Sequence, residues 1–253
     1  AGDQVLYSER DNSVMFEAHD LQGLPQPSQR LLVGTHQQIP CYVSELSEQH
    51  NLPETFYWRS MRSLLGKVPD SLFNWIGRAA QLVNSYSLQR YCGRCGSENR
   101  PMEKVHGSSC DNCGLQTFPR ISPCVIMLVV DGDRCLLAKN VEWGDVDWYS
   151  ALAGFVEPGE YAEQTVHREV MEEVGLELGS LEYIGSQPWP FPGQLMIGYL
   201  AEYKTGDITP NPEEISEAAW WRYDELPPHP DTRTLSGRLI QTFVDRCQAV
   251  HNS

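Results

Sequence analysis

Three glutamates, Glu169, Glu172 and Glu173, crowd into five residues within GFVEPGEYAEQTVHREVMEEVGL, residues 154–176. Carboxylates gathered this closely suit a hard divalent cation with oxygen ligands, such as Mg2+ or Mn2+. A cation of that kind neutralises phosphates and generates hydroxide at neutral pH. Ala162, Val166, Val170 and Val174 recur every four residues and make one apolar stripe of a helix. At about 100° per residue, Glu173 projects within the arc of that stripe, Glu169 at its border and Glu172 one step further round. A carboxylate aimed at the buried side is costly unless something cationic meets it. A solvated acidic face is the ordinary alternative for such a run. Arg168 lies on the same helix, placed to orient the acids. Gly175 follows where a helix ends on a left-handed residue.

A second set of ligands is spelled by cysteine. Cys92-x2-Cys95-x14-Cys110-x2-Cys113 gives two CxxC knuckles that together complete a tetrahedral shell of four thiolates around zinc. Four thiolates leave no open position, so this zinc is expected to be structural. Glycines follow at Gly93, Gly96 and Gly114, and a redox pair would need a βαβ setting that the surroundings lack. Between the pairs only Arg100 and Lys104 are fixed cations, which favours a folding staple over a nucleic-acid reader. Cys41, Cys124, Cys135 and Cys247 are scattered, and Cys124 and Cys135 sit in apolar runs as buried thiols. A disulfide scaffold is not expected.

A third stretch, SQPWPFPGQLM at 186–196, cages Trp189 and Phe191 between Pro188, Pro190 and Pro192. Proline fixes its own φ and biases the residue before it toward extended geometry, so the two rings are held rather than loose.

The elements that must position these groups are readable in outline. Residues 1–90 carry short apolar runs (QVLY, SVMF, RLLV, PCYVSEL) between polar and Pro/Gly stretches, the pattern of a small β-rich module. From Asp70, a plausible cap, Leu72, Phe73, Ile76, Ala79, Ala80 and Val83 fall at helical spacing and lead into the cysteine module at 91–119. From 120 to 253, CVIMLVV reads as a buried strand, Asp131-Gly132 as a hairpin turn before RCLLAK, and WYSALAG as a third strand. The acidic helix spans 161–174. LEYIGSQ, QLMIGYLAEY and AAWWRY read as strands, and 232–250 as a helix with Leu235, Leu239, Ile240, Phe243, Val244 and Cys247 on one face.

The 253 residues are 41% hydrophobic and 21% charged, which fits a globular protein and argues against wholesale disorder. No run of eighteen apolar residues suggests a membrane span. The first residues lack the basic start and apolar core of a secretory signal, and the last form no retention address, so a cytoplasmic protein is expected. The formal charge of −15 opposes nonspecific binding to duplex DNA. It allows an anionic ligand only where a metal or a few Arg/Lys side chains invert the local field.

Gly154, five residues, Glu160, seven residues, Arg168-Glu169-Val170, one residue, Glu172-Glu173, one residue, Gly175-Leu176 resembles the Nudix box at every defined position. The resemblance implies an α+β chain with a Nudix α/β/α sandwich and mixed sheet, preceded by the zinc ribbon and the small β-rich domain. It further implies cleavage of nucleoside diphosphates linked to another moiety. Glu169 and Glu173 would ligate the metal, Glu172 would assist a metal or a water, and the carbonyl of Ala153 would complete the shell.

With the ribbon in front, the segment SQPWPFP behind, and YCGRCG, FPRISPC and LAGFVEPGE between, the chain resembles the zinc-ribbon NADH pyrophosphatase or NAD-capped RNA hydrolase branch of that family. This likeness covers residues 60–250 and does not extend before residue 55. It implies hydrolysis of NAD(H) to AMP and NMN(H), or removal of an NAD cap from RNA, in a homodimer that stacks the substrate's rings on aromatic side chains. Gln187, Pro188, Trp189, Pro190, Phe191, Pro192, Gly193 and Gln194 would lie against the dinucleotide. Glu214 would add a metal ligand, with Glu213 and Glu217 as rivals. Phe118 stands where the family often carries Tyr, so it can stack on a ring but offers no hydroxyl. Ile126, Phe155 and Ser236 fall at pocket-lining positions, each equally explained by packing, and Arg62 is a possible phosphate partner. An ADP-ribose or generic dinucleotide pyrophosphatase is the alternative. A Nudix-fold regulator should show a degraded box and a basic segment, and neither is present.

Overall fold

The computed structural model describes residues 4–24, 30–46 and 52–251. The chain divides into two units, Ala1–Arg120 with Pro190–Gly193, and Ile121–Trp189 with Gln194–Ser253.

In the first unit, the runs QVLY, RLLV and PCYVSEL supply strands β1 (Gln4–Ser8), β2 (Leu31–His36) and β3 (Ile39–Val43). β2 and β3 pair antiparallel, and β1 pairs with β4 (Phe56–Ser60), whose FYWRS sequence is too short a signal to anticipate. SVMF forms no strand: Ser13 makes only an isolated bridge to Ser8. Helix α1 (Asp70–Leu88) begins one residue differently from expectation, with Pro69 at the cap and Asp70 as its first helical residue. Pro69 lacks an N–H that a helix start would leave unpaired in any case. Phe73 and Ile76 of α1 join Met61, Leu64 and Val68 in a small core against which Phe191 packs. The cysteine module contributes a three-stranded sheet, β5 (Asn99–Pro101), β6 (Ser108–Cys110) and β7 (Gln116–Thr117), with β6 central.

The second unit is built on CVIMLVV. It lies in β8 (Ser122–Asp131), where both faces are buried. Side chains alternate along a strand, so Cys124, Ile126 and Leu128 enter one apolar cluster while Val125, Met127 and Val129 enter the other. β9 (Arg134–Asn140) follows a two-residue turn, Gly132-Asp133, one position later than the Asp-Gly pair predicted, with Asp131 opposite Arg134. The remaining elements are β10 (Leu152–Phe155), α2 (Ala162–Val174), β11 (Glu177–Trp189), β12 (Gln194–Thr205), β13 (Ile215–Arg222) and α3 (Leu235–His251). Strand order is β11-β12-β8-β9-β13, with β10 also on β8. β12 runs parallel to β8 and the other pairs are antiparallel, which makes the sheet mixed.

Val166, Val170 and Val174 of α2 pack on one face of this sheet, and Leu235, Leu239, Ile240, Phe243 and Cys247 of α3 on the other. The expected α/β/α sandwich is therefore present. Each fully buried aliphatic side chain in these layers contributes about 1.5–3 kcal/mol relative to exposure. WYSALAG is strand only from Leu152 onward, with Ser150 bridging Ala138. Among the described residues no helix is long and apolar enough to cross a membrane.

Candidate active site

α2 carries the box glutamates against β10, and the loop before β13 carries Glu214. α2 opens with the Tyr161 N–H donating to Gln164 Oε1 (2.9 Å), an orphan donor satisfied by a side chain three residues on. It closes at Gly175, which adopts φ 74° and donates its N–H to the Met171 carbonyl (3.1 Å). Glu169 and Glu173 are buried, 9% and 5% exposed, whereas the Glu172 carboxylate is mostly exposed. This is the arrangement the helical arithmetic gives.

Gly154 shows why the box opens on glycine. A Cβ there would sit 1.9 Å from Glu169 Cδ, so any side chain would occupy the space that the carboxylate fills.

Arg168 ties the loop to the helix. Its guanidinium donates to both oxygens of Glu160 (2.7 and 2.9 Å), to Glu169 Oε1 (2.8 Å), to Glu172 Oε2 (2.9 Å) and to the Phe155 carbonyl (2.9 Å). Glu160 also accepts from Thr165 Oγ1 and from the Glu157 N–H. Arg168 holds the Glu160 carboxyl down at about 2, and Glu160 in turn holds the guanidinium firmly protonated. Glu160 is thus an anchor for Arg168, a role its place in the box did not disclose.

Burial pushes Glu173 up to about 8, reinforced by the charges of Glu169, Glu214 and Glu172. Burial also raises Glu169, against the opposing pull of Arg168. Glu173 Oε2 is buried without a hydrogen-bond partner. An orphaned carboxylate oxygen facing other carboxylate charges suits a hard cation, although the oxygens of Glu169, Glu173 and Glu214 do not all lie within 4.8 Å of one another.

Of the three downstream candidates, Glu214 is the one whose charge acts on both Glu169 and Glu173, while Glu217 acts on Tyr149. The loop carrying Glu214 caps the end of α2: the Thr209 and Asn211 N–H groups donate to the Val174 and Glu173 carbonyls (2.9 and 2.8 Å). The Glu214 carbonyl then accepts from Val141 N–H (2.9 Å). These backbone hydrogen bonds have no sequence signature.

Ala153 lies on β10 opposite Ile126 and beside Gly154. Phe118 in the first unit and Phe155 in the second are each half exposed. Ile126 is buried in the core cluster with Cys124 and Leu235, so its side chain serves packing. Ser236 is also buried, bonded to Ser150 Oγ (2.8 Å) and to the Ala151 N–H (3.2 Å).

The proline segment splits in two. Gln187, Pro188 and Trp189 are strand residues of β11, Gln194 opens β12 opposite Trp189, and only 190–193 turn. Gln187 Nε2 donates to the Arg233 carbonyl (2.9 Å), and its Oε1 accepts from Leu235 N–H (2.7 Å). Trp189 packs on the core beside α3. In the first unit, Pro190 lies over Gly77, Gly193 faces the Arg120 carbonyl, and the Arg62 guanidinium stacks 4.4 Å above the Phe191 ring. The structure therefore joins Arg62 to Phe191, two residues that the sequence offered separately.

The four cysteines of the ribbon converge. Their Sγ atoms all lie within 4.8 Å of one another, the only such group of three or more ligand side chains among the described residues. Gly96 and Gly114 N–H groups donate to the Cys92 and Cys110 carbonyls and close the two knuckles. Backbone N–H groups favour the thiolates, chiefly that of Arg94 at Cys92 and that of Ser97 at Cys95, which falls to about 5. Although the Leu115 N–H draws Cys113 down, burial and the other three thiols push it to about 11. A metal ion held by all four thiolates would relieve that conflict, and the donor set fits zinc.

This sandwich, with its loop–helix–loop of inward glutamates, is that of a Nudix hydrolase. The chain belongs to the Nudix family: the NUDIX domain model matches residues 120–243, and that of the NADH pyrophosphatase-like rudimentary NUDIX domain matches residues 1–84. The second match covers the segment for which the sequence motifs gave no likeness.

Among its relatives is the NAD-capped RNA hydrolase NudC of Pseudomonas aeruginosa (strain LESB58), 41% identical over 245 residues, covering 96% of this chain and 87% of the relative. The NAD-capped RNA hydrolase NudC of Escherichia coli O1:K1 / APEC is 39% identical over 219 residues, covering 87% and 82%. A crystal structure of a NUDIX hydrolase from Nitrosomonas europaea shares the fold, with a TM-score of 0.51 at 18% identity over 64% of this chain and 93% of its own.

Proposed function

We propose that this chain is a divalent-cation-dependent pyrophosphatase that hydrolyses NAD(H) to NMN(H) and AMP, and removes the NAD cap from RNA to leave a 5′-monophosphate end. The observation that carries the reaction is the buried, unpartnered Glu173 oxygen, which the charges of Glu169, Glu214 and Glu172 act upon. The substrate is supported by the 41% identity over 96% of the chain to a NAD-capped RNA hydrolase.

Glu169, Glu173, Glu214 and the Ala153 carbonyl hold Mg2+ or Mn2+ in this reading. When bound, the cation supplies charge neutralisation at the pyrophosphate and acidifies a water. Arg168 keeps Glu169 and Glu172 in register, and the exposed Glu172 carboxylate accepts a proton from the attacking water. Phe118 and Phe155 offer faces for the substrate's rings. Cys92, Cys95, Cys110 and Cys113 hold one structural zinc. A homodimer is expected, and cysteines outside the ribbon that form no disulfide suit a reducing cytoplasm.

The test uses a 5′-NAD-capped RNA with Mn2+. Release of NMN and a product open to a 5′-monophosphate-dependent exonuclease is the expected result. Intact cap alongside cleaved ADP-ribose would replace this reading with the broader dinucleotide pyrophosphatase.

A further inference from the structure

The family resemblance places Gln187 and Ser236 at the substrate pocket, yet the polar side chains of both hydrogen-bond within the second unit. Gln187, near the end of β11, spans the start of α3: its amide donates to the Arg233 carbonyl (2.9 Å) and accepts from the first helical N–H, Leu235 (2.7 Å). That N–H is one of the donors a helix start leaves without an internal partner. One residue on, Ser236 is 5% exposed, and its hydroxyl meets Ser150 Oγ (2.8 Å) and the Ala151 N–H (3.2 Å). The first turn of α3 is also close-packed, since a Cβ on Gly237 would fall 1.9 Å from the Asp231 carbonyl oxygen.

The far end of this junction is the approach to β10. Ser150 pairs with Ala138 on β9, Ala151 is held by Ser236, and two and three residues later come Ala153 and Gly154, the latter against Glu169. Phe155 then accepts from Arg168. A short run of β10 backbone therefore connects the Ser236 hydroxyl to the groups that seat the glutamates.

We propose that Gln187 and Ser236 are positioning residues: they bolt the first turn of α3 between β11 and β10, and thereby fix the β10 backbone that presents Ala153 and Gly154 to the glutamate cluster. Their polar atoms act on the cation site through backbone and do not touch the substrate. This rests on the proposed cation site. Hydrogen bonds made directly to metal ligands govern affinity by roughly 10–100-fold, and these bonds, one step further out, should act at or below the low end of that range.

The test compares wild type, Ser236→Ala, Ser150→Ala and Gln187→Leu by the EPR signal of free Mn2+, by melting temperature, and by KM for NADH at saturating Mn2+. Ser236→Ala and Gln187→Leu should weaken Mn2+ binding by several-fold, up to about tenfold, with KM near the wild-type value. Ser150→Ala, which leaves the Ser236 bond to Ala151, should fall between these and wild type. Raised KM with unchanged Mn2+ affinity would show that these side chains contact substrate and overturn the proposal. A lowered melting temperature with both unchanged would reduce them to packing and overturn it equally. Failure of wild type itself to bind Mn2+ or cleave NADH would instead count against the function proposed above.

Discussion

Glu173 is where the sequence's helical geometry and the structure's electrostatics meet. Its native carboxyl is raised to about 8 by burial, from an ordinary value of 4.5. Between those two values the native chain binds a proton more tightly than the unfolded one. Stability of the cation-free protein therefore falls as pH rises from 4.5 to 8, by on the order of a few kcal/mol. Glu173→Gln should abolish that slope, raise the melting temperature of the cation-free protein at about pH 8, and reduce turnover by at least about 100-fold. Thermal scans across pH, with and without Mn2+, check the first two.

Glu160 works with the opposite sign. Held down at about 2 by Arg168, it contributes stability that is present above pH 4.5 and lost as pH falls through 2. Acid unfolding of Glu160→Gln should show a shallower dependence over that window. Gly154→Ala, whose new Cβ would press on Glu169, should weaken Mn2+ binding by about tenfold or more, read by EPR.

At the scale of elements, legibility tracks periodicity. α2 is readable because four apolar residues at four-residue spacing and a terminal glycine state both its face and its end. β8 and β9 are readable as apolar runs around a turn, although the turn lies one residue late, because Asp-Gly and Gly-Asp both offer the glycine. β4 and the start of β10 are not readable, since their boundaries are set by partners distant in sequence. The same reason hides the loop before β13. Its Thr209 and Asn211 N–H groups cap α2 and so carry Glu214 toward Glu173. Asn211→Pro, which deletes the N–H that meets the Glu173 carbonyl, should weaken divalent binding while leaving zinc content unchanged. Elemental analysis beside Mn2+ titration distinguishes the two.

Across the molecule, the motifs carry most of what the site requires. The cysteine spacing announces a cluster that the structure closes to 4.8 Å, and the box announces its inward acids. Side-chain destinations within the proline segment are not legible. Gln187 turns to α3, Trp189 to the core, and Phe191 to Arg62, because each is decided by tertiary neighbours rather than by the prolines around it. The zinc is expected to staple the first unit alone: Cys113→Ser should lower zinc content and expose residues 92–117 to proteolysis. Limited digestion followed by mass spectrometry reads this directly.

In the proposed reaction the glutamates of α2, with a divalent cation, split the pyrophosphate of a nicotinamide dinucleotide. The most direct measurement is the chromatographic product pattern of NADH incubated with wild type and with Glu173→Gln, each with Mn2+. NMNH and AMP in equal amounts from wild type, and intact NADH from the folded, zinc-loaded variant, is the predicted result. Intact NADH with wild type, or unchanged turnover in Glu173→Gln, would contradict it.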